Sequence, residues 1–174
     1  MKPARRDVLI LGGVAVAAAA AGGVVGALAL QSRSGAAELL ASSFPDLGGR
    51  ARRLTEWQGR ALVCNFWATW CAPCREELPL LDAAQQQHGP HGLQVLGIGV
   101  DTAANIREYL KVVNISYPVL VAEISAIQLM RKLGNRGGGL PFTVVMDRRG
   151  TLRQRKLGAY SQVELSTMVA ALLR

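Results

Sequence analysis

Two thiols three positions apart are the residues best placed to do chemistry in this 174-residue chain. They are Cys71 and Cys74, in the string Asn65-Phe66-Trp67-Ala68-Thr69-Trp70-Cys71-Ala72-Pro73-Cys74. Cysteines at this spacing can close a disulfide within one helical turn, and so can store and release two electrons. The string follows a β-branched, apolar run and opens a helical pattern, so Cys71 falls at a helix N-terminus. There the unpaired backbone N–H groups and the helix dipole favour a thiolate. Thiols so placed can have a pKa of roughly 3.5–7.5 in place of about 8.5. Cys71 is therefore expected to be the exposed nucleophile. Cys74, one turn in, is expected to be shielded and to resolve the mixed disulfide that Cys71 forms.

A Cys-x-x-Cys pair can also be half of a zinc site, with Cys64, His88 and His91 to complete it. Cys64, however, alternates with Leu62 and Phe66, the pattern of a packed apolar residue. A regulatory partner for the active pair is its other reading. The histidines lie in the polar turn Gln87 to Gly92, at the far end of the helix from Cys71. No metal and no cofactor are expected. Trp67 and Trp57 are expected in the core, and Trp70 as an exposed contact for substrate. Arg148, Arg149, Arg153, Arg155 and Lys156 read as a solvated hairpin, with an acidic partner or a lipid surface as the alternative. No aromatic interleaving points to nucleic acid.

Positioning the thiols falls to an alternation of short elements. Phe44 to Arg50 has the turn chemistry of a hairpin, with Gly48-Gly49 at its tip. Arg60 to Trp67 reads as a buried strand and Cys71 to Gln87 as a helix with an interior Pro79. Leu93 to Val100 is a second strand, Ala103 to Val113 a helix, Pro118 to Ala122 a short strand, and Ile124 to Leu133 a helix closed by Gly134. Phe142 to Asp147 and Leu152 to Leu157 read as an antiparallel hairpin, and Gln162 to Leu173 as a terminal amphipathic helix. Strands alternating with helices, then a hairpin, give an α/β domain with a mixed sheet flanked by helices.

The string from Asn65 through Arg75-Glu76-Glu77-Leu78-Pro79 resembles the exported TlpA/ResA-type thiol–disulfide oxidoreductases of the thioredoxin-like fold. The resemblance spans residues 44–174, including the hairpin before the motif, Pro79 in the active-site helix and Gly139-Leu140-Pro141 before a strand. It implies that Pro141 is cis and lies against the cysteine pair, and that the backbone of Leu140 pairs with a substrate segment in strand fashion. Trp70, Ala72 and Pro73 would join them in contacting substrate. Cytoplasmic thioredoxins place an aspartate at the position of Asn65; an amide cannot exchange a proton, so the base for Cys74 must come from elsewhere. Glu77, about one turn beyond Cys74, can share that helix face, and the resemblance implies that an acid there tunes the pair. Glu76 is expected to be a solvated charge. Phe142 departs from the acidic residue that follows the cis proline in the cytochrome c maturation branch. Gly137-Gly138-Gly139 leads to the expectation of a mobile loop.

Length and charge bound the rest. The chain carries 20 Lys+Arg against 12 Asp+Glu, a net +8. Residues 1–34 hold Lys2, Arg5, Arg6 and Arg33 against Asp7, so the remainder keeps a net +5, that of a mildly basic domain. Three cysteines are too few for a disulfide-stapled scaffold. Val8 to Leu30 is 23 residues without a charge, after a short basic flank. This is the grammar of an export signal or a first transmembrane helix. Its length favours an anchor, whereas its 13 Gly and Ala residues bring little transfer energy. Arg5-Arg6-Asp7-Val8-Leu9 resembles a twin-arginine signal, which would imply a bacterial protein, and Ala27-Leu28-Ala29 offers a cleavage site. The expected organisation is a signal or anchor over 1–34, a tether over 35–43 and a thioredoxin-like domain over 44–174. The expected protein is a monomer on the periplasmic or extracytoplasmic side, anchored or exported. It would reduce cysteine-containing exported proteins, as in cytochrome c maturation, with a membrane-embedded electron donor. A disulfide-donating oxidase and a copper-delivery module are the rivals.

Overall fold

Seven consecutive buried residues, Ala61–Trp67, form the strand that carries Asn65 and leads into the two cysteines. A strand covered on both faces has no need of polar alternation. In the computed structural model, which describes residues 35–174, the elements begin with a helical stretch over residues 35–41 (α1). Strands Ser43–Pro45 (β1), Ala51–Arg53 (β2) and Ala61–Trp67 (β3) follow, then helix Ala72–His88 (α2), strand Leu93–Gly99 (β4) and helix Ala103–Tyr109 (α3). Strand Val119–Val121 (β5), helix Ala126–Lys132 (α4), strands Phe142–Met146 (β6) and Leu152–Leu157 (β7) and helix Gln162–Leu172 (α5) complete the order.

The main sheet runs β5-β4-β3-β6-β7, with β1 and β2 as a separate antiparallel pair. β3 pairs parallel with β4 and antiparallel with β6; β5 is parallel to β4, and β7 antiparallel to β6. This is the expected thioredoxin-like mixed sheet flanked by helices. Alternation along β3 sorts the core. Leu62, Cys64 and Phe66 face a cluster that includes Leu39, Leu129, Met130, Phe142 and Val144. Ala61, Val63 and Trp67 face the other side, against Leu78 and Leu81 of α2 and Leu165 and Val169 of α5. Asn65, by the same alternation, points to the α2 side.

Two expectations are corrected. Residues 35–43 do not form a tether: residues 35–41 are helical, β1 starts at Ser43, and Ala36 and Leu39 are buried in the first cluster. A Cβ on Gly35 would lie 2.8 Å from the Lys132 carbonyl oxygen, so α1 meets the end of α4 backbone to backbone. Glu38 pairs with Lys132 at 2.8 Å across the same contact. The helix expected to reach Val113 ends at Tyr109. Val112 is 80% exposed, so burial does not offset the poor helix propensity of the two valines. The expected signal or anchor over 1–34 lies outside the described residues, among which no helix is long and apolar enough to cross a membrane.

Candidate active site

At the end of β3 the chain turns through Ala68–Trp70 into α2. Asp101 fixes that turn, accepting from the Thr69 N–H at 3.2 Å and from its hydroxyl at 2.5 Å. Burial works against the Asp101 carboxylate, but bonds from Thr69, Asn105 and Thr102 outweigh it and hold its pKa below the ordinary value. Cys71 is the N-cap of α2 and its sulfur accepts the Cys74 N–H at 3.3 Å. Backbone N–H groups at this position are the donors that would hold a thiolate in the reduced protein. Cys71 and Cys74 are joined as a disulfide with Cα atoms 5.3 Å apart. Both are buried, and the little exposure the pair keeps, 6%, is at Cys71. Trp70 is 70% exposed, and Ala72 and Pro73 are exposed in the first turn, where a missing proline N–H costs nothing.

Below the pair lies a buried carboxyl. Glu77 is 1% exposed; its Oε1 accepts the Tyr160 N–H at 2.7 Å and its Oε2 accepts from Asn65 Nδ2 at 2.9 Å. The same Asn65 amide nitrogen donates to Thr143 Oγ1 at 2.9 Å, across the β3–β6 register that pairs these residues. Burial pushes the Glu77 carboxyl above its ordinary pKa, against those two hydrogen bonds and the nearby Lys156 charge. Lys156 itself bonds Glu164 at 2.8 Å and sits 5.1 Å over the Tyr160 ring. A carboxyl so placed can hold or release a proton in the interior, next to the helical turn that carries Cys74. Glu76, by contrast, is exposed.

The third component is the segment before β6. The Leu140–Pro141 bond is cis, as the resemblance implied, and the Pro141 carbonyl accepts the Gly158 N–H at 2.9 Å. Phe142 pairs with Phe66, which puts Leu140–Pro141 at the end of the sheet where β3 leads into the cysteines. Among the described residues neither the N–H nor the C=O of Leu140 has a hydrogen-bond partner. The preceding glycines, expected to form a mobile loop, are tied by Asn135. Its Nδ2 donates to the Gly139 carbonyl at 2.8 Å, its Oδ1 accepts the Gly139 N–H at 3.2 Å, and its own carbonyl accepts the Gly138 N–H.

The structure thus brings together Cys71, Cys74, Asn65 and Glu77, with Trp70, Ala72, Pro73, Leu140 and Pro141 at the same end of the sheet. It does not bring Cys64, His88 or His91 to them. Cys64 is fully buried on the opposite face, its thiol pushed up to about 12 by burial, and the histidines lie at the far end of α2. Sequence reasoning missed Thr143, Tyr160, Lys156, Asn135 and Asp101. Thr143 alone carried a signal, as the one polar residue in an otherwise apolar strand. Tyr160 acts through its backbone, which no side-chain pattern reveals.

Residues 37–155 match the AhpC/TSA family. ResA, a thiol–disulfide oxidoreductase of Geobacillus thermodenitrificans, is 26% identical over 121 residues, covering 69% of this chain and 67% of that one. The thioredoxin-like protein YneN of Bacillus subtilis is 25% identical over 71% of each chain. A thioredoxin-family thiol:disulfide interchange protein from Chlorobium tepidum superposes with a TM-score of 0.66 at 29% identity, over 76% of this chain and 93% of that one. A secreted disulfide oxidoreductase of Mycobacterium tuberculosis shares the fold, with a TM-score of 0.64 at 24% identity, over 78% and 98%. The chain belongs to the AhpC/TSA family, and its Cys71–Cys74 pair makes it a thiol–disulfide oxidoreductase on the thioredoxin-like fold.

Proposed function

We propose that this oxidoreductase works as a reductase of cysteine-containing proteins outside the bacterial cytoplasm, in the manner of cytochrome c maturation. The observation that carries the direction is the buried Glu77 carboxyl on the helix face of Cys74. A negative group there disfavours thiolates, which weakens the dithiol relative to the disulfide and makes the pair a better electron donor. In the forward reaction the Cys71 thiolate attacks one sulfur of a client disulfide, forming a mixed disulfide and releasing one client thiolate. Cys74 gives its proton to Glu77, and its thiolate attacks Cys71 Sγ. The second client thiolate leaves, and the pair is oxidised by two electrons to the disulfide described above. Leu140, with both backbone groups unpaired, is the strand edge on which a client segment would lie. Trp70, Ala72, Pro73 and Pro141 surround it. A dithiol donor, membrane-embedded in this reading, returns the two electrons.

The address rests on the basic flank and on Val8 to Leu30, and is supported by a similar structure from a secreted protein. Equilibration against a glutathione or dithiothreitol buffer tests the direction. The potential is expected nearer the ~−270 mV of thioredoxin than the ~−120 mV of a strong periplasmic oxidant. A value above about −150 mV would make the protein the oxidase instead. Glu77→Gln should raise the potential by roughly 30 mV for each pH unit by which the thiols become more acidic. Cys74→Ser should accumulate client mixed disulfides, and Cys71→Ser none.

A further inference from the structure

Next to the Leu140–Pro141 segment lies an open cleft of about 280 Å³, walled by residues 134–137 on one side and by Phe142, Arg155 and Leu157 on the other. Phe142 and Leu157 are register partners, so the cleft is on the sheet face opposite α2. Leu157 is 61% exposed. Arg136 stands at the cleft with no hydrogen-bond or ion-pair partner among the described residues, and the Arg155 Nη1 donates to the Leu133 carbonyl at 3.1 Å. Among the described residues no carboxylate lines the cleft. A Cβ added at Gly137 would meet nothing within 4 Å, so the wall is open there.

We infer that this cleft is a specificity subsite for an acidic side chain of the client polypeptide, one or three residues from the client's reactive cysteine. The inference rests on the reading that a client segment lies along Leu140. An extended segment advances about 3.3 Å per residue and sends alternate side chains to opposite faces. Cys71 belongs to the α2 face and the cleft to the other. A client that directs its cysteine to Cys71 therefore directs residues at odd offsets to the cleft. There the Arg136 guanidinium selects a carboxylate, with which Arg pairs in a bidentate fork, over a neutral or basic side chain.

The test uses the reduced full-length protein in detergent. It is mixed with single-cysteine peptides capped by a chromogenic arylthiol, whose release reports attack by Cys71. The peptides differ only at the residue before the cysteine: Asp, Leu or Lys. An exposed ion pair shifts an equilibrium by about fivefold at most, so attraction of Asp and repulsion of Lys by Arg136 give an expected preference of about three- to tenfold. The preference should shrink as salt is raised and invert in Arg136→Glu. The peptide's own influence on leaving-group chemistry cancels between wild type and variant. Gly137→Glu, which places a carboxylate in the cleft without a backbone clash, should also abolish the preference. Equal rates for Asp and Lys, a ratio unmoved by both variants, or fastest reaction of the Leu peptide would overturn the subsite. So would a sedimentation mass that halves in Arg136→Glu, which would make the occupant a second copy of the chain. Failure of every peptide to release arylthiol would instead overturn the reductase reading itself.

Discussion

Asn65→Asp places a carboxyl where an amide now donates to Glu77 at 2.9 Å. Two carboxylates at that separation repel by about 6 kcal/mol at an effective dielectric of about 20. One of the two therefore stays protonated well past neutral pH, and they share a single proton. At pH 7 the variant buries one negative charge, not two, and the thiol pair should change little. Stability is where the substitution tells. The pair's folded-state affinity for its proton is raised above that of the unfolded chain. The stability this confers is full in acid and is lost as pH rises through the window above the ordinary carboxylate range. Denaturant unfolding of wild type and variant between pH 5 and 9 should show a gap that widens, by up to about 1.4 kcal/mol per pH unit, as the solution becomes more basic. Parallel curves across that range would mean that the side chain at 65 does not face Glu77, and the proton path proposed for Cys74 would fall with it.

Asn135→Ala removes both side-chain bonds to Gly139 and leaves its carbonyl unpaired, so unfolding should become easier by about 1–3 kcal/mol. The attack rate on peptide disulfides should fall several-fold, more than on a small disulfide that needs no strand edge; equal losses on both would reduce Asn135 to a structural role. Native Cys64, its pKa pushed up to about 12, should resist alkylation until the protein unfolds, and labelling at the rate of Cys71 in the reduced protein would contradict its burial. A reporter fused after Arg174 should be active only when it requires a location outside the cytoplasm.

Local pattern made the cysteine motif legible. The strand before it, the N-cap position of Cys71 and the first turn of α2 all lie within one short stretch, and so does the separation of Cys74 and Glu77 by one turn. The amide–carboxylate cluster beneath was only half legible. Asn65 and Glu77 stood out as residues, but Thr143 and Tyr160 reach them from 78 and 83 positions away. Register and packing set such distances, and hydrophobic periodicity does not encode them. Asn135 was hidden differently: it closes on Gly139 four residues later, inside a glycine run whose composition alone suggests freedom. The segment at 35–43 reads as a tether because about two turns, with Leu39 and Leu40 as their only large apolar residues, are too short to show a period. Its helix exists because α4 and the sheet cover it.

The burial of α1 sets how far the active site can travel. If residues 8–30 remain in a bilayer, four residues, 31–34, separate the end of the apolar run from the first helical residue at 35. Even fully extended, five peptide units span at most about 18 Å. A flexible tether continuing through residue 43 would let the domain reach about three times as far, whereas a leash of five units would confine it to a shell next to the membrane surface. Clients and the electron donor would then have to present their sulfur atoms close to the lipid headgroups, and encounters in that layer would be governed by lateral diffusion in the membrane more than by free diffusion in the compartment.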